Sequence, residues 1–238
     1  MKTFQRIAIL FLLVSGSWAF VAQSPDNIVS YTVDLKTHDL QLYWKNDRGE
    51  VLHSIANLKS YVKRKNKTLL FAANGGMYQQ DNTPLGLFIQ NKKTVTPLNT
   101  RSANGNFYLK PNGVFYVNKN RAFICTTEDF QPDPQIEYAM QSGPMLIIDG
   151  KIHPAFKEGS SNVNIRNGVG ILPDRKVVFA MSKTEINFYD FAKYFQDLGC
   201  KNALYLDGFV SRTYLPEKNW IQTDGDFGVM IGVTKRKE

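Results

Sequence analysis

The sequence predicts an α+β fold: a single domain with a large mixed or antiparallel β-sheet core and two principal helices. Three observations carry that expectation. Short apolar or alternating runs, bounded by Gly, Pro, Asn and Asp, recur along the chain in the pattern of many short strands. Only two segments, Ile55 to Lys67 and Asn187 to Leu198, space apolar residues three and four apart as an amphipathic helix does. No internal repeat, low-complexity tract or long linker divides the 238 residues, so strands and helices are expected to share one core.

The first segment is set apart from that core. Lys2 and Arg6 precede the apolar run Ile7 to Val14, and Ser17-Trp18-Ala19 supplies small residues, the pattern of a secretory signal peptide over residues 1–19. The run is short for a bilayer span, so the expectation is an exported protein, periplasmic or secreted, with no stable membrane insertion after cleavage. Residues 20–238 then form the domain. Losing Lys2 and Arg6 lowers the formal charge from +8 to about +6. The surplus is scattered over Lys59 to Lys67, Lys92-Lys93, Lys119, Arg121 and Lys235 to Lys237, with no recognition motif beside it. Solvated faces explain such scatter, and nucleic acid is not an expected partner. Cys125 and Cys200 are compatible with a disulfide or with two buried thiols. The histidines, His38, His53 and His153, do not stand at zinc-ligand spacing.

Taken in order, residues 28 to 35 and 40 to 44 alternate apolar and polar side chains and read as a hairpin across Lys36 to Asp39. In the first helix Leu58, Tyr61 and Val62 face inward. Leu69 to Ala73 is a buried strand running straight into Asn74-Gly75-Gly76-Met77-Tyr78. Paired glycines at a strand end let backbone amides approach a ligand, and Asn74 adds a side-chain amide; an ordinary turn is the competing reading. Pro84 to Ile89 is a strand, Phe107 opens another, and Pro111-Asn112-Gly113 turns between two β runs. Ser142-Gly143 interrupts the apolar run Tyr138 to Ile148, which places a bulge at Gly143, and Asp149-Gly150 makes a hairpin turn. Val177 to Met181 is buried. The second helix buries Phe188, Phe191, Ala192, Phe195 and Leu198, with Asn187 capping its start and Gly199 its end. A short turn leads into Ala203 to Leu206, which stops at Asp207-Gly208. Trp220-Ile221 and Phe227 to Val233 form the last strand pair, with Asp224-Gly225-Asp226 as its turn.

Acid–base chemistry points first to Asp207, because a carboxyl at the end of a buried apolar run is desolvated and its pKa rises toward neutrality. Glu185 and the Asp224/Asp226 pair are the other candidates. Arg166, between a polar loop and a strand, suits either a surface ion pair or a phosphate held by two parallel hydrogen bonds. A serine hydrolase assembled from Ser142, His153 and Asp207 is disfavoured, since Gln141-Ser142-Gly143-Pro144 is not a Gly-x-Ser-x-Gly elbow.

Four stretches occur together and in order: Ala73 to Tyr78, Gln141 to Ile147 with Asp149-Gly150, Arg166 to Gly170, and Leu204 to Gly208 with Ser211. In that combination the chain resembles the phosphodiester glycosidase domain family over roughly residues 28 to 234, most closely its short exported bacterial members. The resemblance implies cleavage between a sugar anomeric carbon and a phosphodiester, with a sugar phosphodiester as substrate. It places Asp207 and Arg166 as catalytic residues, and Asn74, Gly75, Gly76, Ser142, Gly143, Gly208 and Ser211 around the substrate. No cofactor is required by this reading, although Asp207 and Asn74 offer oxygens suited to calcium or magnesium. A second carboxylate, usual in glycoside hydrolysis, is not assigned, and a phosphate leaves without needing one. The uncovering-enzyme branch of the family has Leu-Asp-Gly-Gly-Gly-Ser-Ser where this chain has Phe209-Val210 and Arg212, so the pocket wall differs. The alternatives are a glycan- or phosphate-polymer-binding module without turnover, and a phosphodiesterase that cuts the phosphorus–oxygen bond.

Overall fold

The computed structural model describes residues 27–235, so the expected signal peptide lies outside the described residues. Helices Ile55–Arg64 and Phe188–Asp197 pack on three sheets. The first sheet runs in the order Ile28–Val33, Val177–Ser182, Asn167–Ile171, Ala203–Tyr205, Met145–Ile148, Lys151–Ile152. In the second, the order is Trp220–Ile221, Thr213–Leu215, Leu69–Asn74, Met230–Lys235, His38–Tyr43. The third runs Lys93–Thr96, Phe88–Gln90, Ile136–Ser142, Gly113–Asn118, Arg121–Thr126. Every strand pairing is antiparallel. The fold is therefore α+β as predicted, with its sheet divided in three.

Local chemistry accounts for the helices. The Asn187 side chain accepts from the Asp190 N–H at 2.9 Å and closes the start of the second helix. Gly199 ends it at φ +76°, a conformation that favours glycine. Phe188, Phe191, Ala192, Tyr194 and Phe195 are buried against Leu146, Ile147, Val178 and Ala203 of the first sheet. Ser54 caps the first helix by accepting from Asn57 N–H, and Ile55, Leu58 and Val62 bury its inner face.

The sheets meet on three rings, one from each. Phe179 of the first sheet stacks on Phe71 of the second, with centroids 5.3 Å apart, and meets Phe115 of the third edge-on at 6.0 Å. This is where most of the apolar burial is shared.

Four local expectations change. Residues 28–33 and 38–43 are strands but not a hairpin: the first pairs with Val177–Ser182 and the second with Met230–Lys235. The turn between them is made, with His38 N–H on the Asp34 carbonyl at 2.8 Å, but the first strand pairs into the first sheet and only its Tyr31 ring reaches the second, stacking on Phe71 at 5.1 Å. Phe107 opens no strand; it sits in the 3₁₀ turn Asn106–Tyr108, so Pro111-Asn112-Gly113 leads into a strand without following one. Gly143 is not a bulge but the point where the chain leaves the third sheet for the first, and a Cβ there would lie 2.5 Å from that of Asn112. Trp220–Ile221 and Met230–Lys235 share a sheet with two strands between them, so Asp224-Gly225-Asp226 is not a hairpin turn. The Asp149-Gly150 turn is as expected, pairing Lys151 with Ile148.

Cys125 and Cys200 are free thiols. Burial pushes them up to about 11 and about 12 respectively, so both stay protonated at neutral pH. Among the described residues no helix is long and apolar enough to cross a membrane.

If the three-ring contact joins the sheets, Phe179→Ala should cost about 3–5 kcal/mol in a denaturant melt, the range for removing a fully buried aromatic side chain. A loss below about 1 kcal/mol would mean that the sheets hold together elsewhere.

Candidate active site at the junction of three sheets

Asn74 is the last residue of its strand in the second sheet, Ser142 the last of its strand in the third, and Asn167 the first of its strand in the first. Asp207 lies on the segment 206–212, which carries the chain from Ala203–Tyr205 in the first sheet to Thr213–Leu215 in the second. Crossings between sheets thus bring the predicted residues together.

Asn167 ties them. Its Oδ1 accepts from Asp207 N–H at 2.7 Å, and its Nδ2 donates to both the carbonyl and the Oδ1 of Asn74 at 3.1 Å. Its backbone N–H donates to the Asp207 carbonyl and its carbonyl accepts from Leu206. Sequence reasoning quoted Asn167 inside a motif without giving it a role, because the role consists of contacts 40 and 93 residues away.

Asp207 follows the buried Leu206, as expected, and is itself partly buried. Burial raises its carboxyl to about 6, opposed by the Gly208 N–H that donates to Oδ1 at 2.7 Å. The Ser211 hydroxyl donates to the Asp207 carbonyl at 2.9 Å, and Ser211 N–H closes a β-turn on the Gly208 carbonyl at 2.7 Å. Asp207 is a half-desolvated acid on a turn whose backbone is fixed at several points.

Asn74 is 1 % exposed, and its Oδ1 accepts twice, from Asn167 Nδ2 and from Arg212 N–H at 3.0 Å. Two protein donors thus occupy that oxygen. Its Nδ2 is buried and finds no acceptor among the described residues. A buried donor left without an acceptor costs about 1–3 kcal/mol, and an oxygen brought by a substrate would satisfy it. No group of three or more His, Cys, Asp and Glu side chains among the described residues is arranged to hold a metal ion.

The remaining predicted residues shape the site more than they donate to it. Gly75 N–H is used by the Val229 carbonyl at 2.8 Å, and Gly208 N–H by Asp207, so neither amide is left for a phosphate. Gly76 is small because its neighbour is backbone: a Cβ there would lie 2.8 Å from the Gln141 carbonyl oxygen. The Ser142 hydroxyl donates to the Leu206 carbonyl at 2.6 Å. His153 is buried, with its ring nitrogens on Lys110 O and Ala155 N–H, so no Ser142–His153–Asp207 triad forms.

Arg166 is fully buried rather than at the surface. Its Nε donates to Ile186 O at 2.8 Å, its Nη2 to Asn162 O at 2.8 Å, and its guanidinium lies 3.5 Å over the Phe188 ring. That edge of the fork is spent on backbone carbonyls and does not offer a phosphate two parallel bonds. Among the described residues no carboxylate pairs with Arg166; its guanidinium lies 5.7 Å from the Tyr205 ring, whose hydroxyl a Cβ on Gly208 would strike at 2.0 Å.

Tyr78 lies within electrostatic reach of Asp207. Burial, then the charges of Asp207 and Asp226, push the Tyr78 hydroxyl up to about 12, and it donates to Asp226 O at 2.6 Å. Asp226 in turn meets His53 Nδ1 at 2.6 Å and Asn82 Nδ2 at 3.1 Å, while Asp224 pairs with Arg212 Nε at 2.9 Å. Tyr78 adjoins the predicted Gly75-Gly76 pair, but its place beside Asp207 depends on the fold. Glu185 is exposed.

The raised Asp207 pKa fixes a sign. Its folded value of about 6 exceeds its ordinary 3.8, so folding favours the protonated form, and the group's contribution to stability falls as pH rises from about 4 to about 6. Asp207→Asn should therefore gain stability relative to the parent as pH rises from about 4 to about 6, and keep that gain at higher pH. Denaturant melts showing a pH-independent difference would contradict a desolvated carboxyl.

The family model described as phosphodiester glycosidase matches residues 67–234. A curated relative, the uncharacterized protein YigE of Escherichia coli strain K12, is 37% identical over 189 residues, covering 79% of this chain and 74% of its own. Among solved structures, the zebrafish N-acetylglucosamine-1-phosphodiester alpha-N-acetylglucosaminidase catalytic domain, auto-inhibited by its pro-peptide, superposes with a TM-score of 0.61 at 15% identity over 88% of this chain and 83% of its own. A Burkholderia pseudomallei protein described as exported gives 0.57 at 11% identity, over 87% and 73%. The structural likenesses speak for the fold; the match over residues 67–234, across the segments that build the site, makes the chain a member of the phosphodiester glycosidase family.

Proposed function

We propose that this protein is a glycosidase that hydrolyses the bond between a sugar anomeric carbon and a phosphodiester. The observation that carries the reading is Asp207, a carboxyl raised to about 6 by burial and held on a turn that Asn167 joins to Asn74. At neutral pH such a group is mostly ionised yet basic enough to take a proton. Water attacks the anomeric carbon, its proton passes to Asp207, and the bond from carbon to the phosphate oxygen breaks with its electron pair leaving on that oxygen. The products are free sugar and a phosphate monoester. Phosphate carries that charge unaided, so no second carboxylate is needed to protonate it.

Asn74 Nδ2 is the donor for a sugar or phosphate oxygen, and it has no protein acceptor among the described residues to give up. Arg166 contributes as a buried positive charge without a carboxylate partner, favouring an anionic substrate through its field. Family membership and the activity named for the zebrafish relative support the same reaction class. We also propose export, on the Lys2–Ala19 pattern and the description of the Burkholderia relative.

The test is hydrolysis of a panel of sugar-1-phosphodiesters by the purified mature chain beside Asp207→Asn. The parent should release free sugar, the variant should lose about 10²–10⁴-fold in kcat, and a chelator should leave the parent rate unchanged. Saturable binding of the panel with no product from either would replace this reading with that of a binding module.

A further inference from the structure

The turn Gly208 to Ser211 carries an aromatic side chain whose exposure packing does not explain. Phe209 is 87% exposed, the only aromatic among the large hydrophobic side chains that stand exposed in the described residues. It has no ring partner among them, whereas the other central residue of the turn, Val210, packs against the cluster of Tyr43, Ile55, Tyr214 and Phe227. The turn itself is not loose. Ser211 N–H closes it on Gly208 O, the Ser211 hydroxyl holds Asp207 O, and Gly208 lies against the Tyr205 hydroxyl. A ring two residues from the reactive carboxyl is thus presented to solvent from a fixed backbone.

We propose that Phe209 is the platform on which the sugar ring of the substrate stacks, and that it sets which sugars the site accepts. The inference rests on the reading of Asp207 as the acid–base group of a sugar phosphodiesterolysis. A pyranose has an apolar face of C–H groups and a polar rim, and the face of an aromatic ring suits the first without engaging the second. The sugar's anomeric carbon must come within reach of Asp207, which puts the rest of the ring over or beside the turn. Phe209 gains from that contact because its surface is otherwise wet. It would contribute to binding the sugar and not to holding the phosphate, which falls to Asn74 and the field of Arg166.

The experiment separates those two parts of the ligand. In an Asp207→Asn background, which keeps the diester intact, binding of a hexose 1-(methyl phosphate) and of dimethyl phosphate is titrated with Phe209, Phe209→Ala and Phe209→Trp. Phe209→Ala should weaken the sugar diester about tenfold and leave dimethyl phosphate unchanged, while Phe209→Trp restores or tightens the first. An 87% exposed side chain can be removed with little effect on folding, and a matching melting temperature checks it. Equal affinity for the sugar diester in all three variants, equal weakening of both probes, or no binding of the sugar diester by any of them would overturn the proposal. Because binding is read without turnover, a parent chain that hydrolyses nothing would count against the glycosidase reading and leave the Phe209 result standing on its own.

Discussion

The structure of the site depends on one buried amide. Asn167 joins the Asp207 turn of the first sheet to the strand end of the second: its Oδ1 accepts from Asp207 N–H, its Nδ2 donates to Asn74, and its backbone bonds the Asp207 carbonyl and the Leu206 N–H. A side chain 2% exposed that makes all these bonds is satisfied, and a satisfied buried polar group specifies one arrangement where an apolar one would tolerate several. The crossings at Gly75-Gly76, Ser142-Gly143 and 206–212 can converge because their glycines carry no Cβ: one on Gly76 would strike the Gln141 carbonyl oxygen, and one on Gly143 or Gly208 would strike the Asn112 Cβ or the Tyr205 hydroxyl. Geometry at the carboxyl is therefore inherited from three sheets and not from a single loop.

Burial does the electrostatic work. Asp207 has one backbone N–H on its carboxylate and no cation paired with it, so desolvation decides its proton affinity. Arg166 is arranged in the opposite way. Its Nε and Nη2 donate to the Ile186 and Asn162 carbonyls and its guanidinium lies over Phe188, and among the described residues no carboxylate cancels its charge. A carboxyl that holds its proton weakly near neutrality and a buried cation are the two charged features on which the proposed reaction of an anionic substrate with water rests. Neither group could do this at the surface, where water would screen the charge and restore the ordinary pKa.

Much of this was legible in the sequence, and the parts that were not share a cause. Asn187 and Gly199 mark the second helix because capping acts within a few residues, and the run Ala203 to Leu206 announces a buried strand ending at an acid for the same local reason. The partners of strands 28–33 and 220–221 were misread because alternation reports which face is buried, not which strand lies beside it. Pairing with Val177–Ser182 settles the first case, and the insertion of Thr213–Leu215 and Leu69–Asn74 the second. At the site, residue types were readable but vacancies in their bonding were not. Arg166 was expected on a phosphate and Gly75 and Gly208 around the substrate, and each gives donors to protein groups that lie far along the chain or in the turn itself. Asn167 and Tyr78 acquire their places only from contacts across sheets.

The central claim is that Asp207 directs water to carbon and not to phosphorus. The most direct measurement is turnover of a sugar-1-phosphodiester in water enriched in oxygen-18, followed by mass analysis of both products. The account predicts that the heavy oxygen appears in the sugar at its anomeric position and that the phosphate monoester carries none. Heavy oxygen in the phosphate, with an unlabelled sugar, would contradict it and make the reaction a phosphorus–oxygen cleavage.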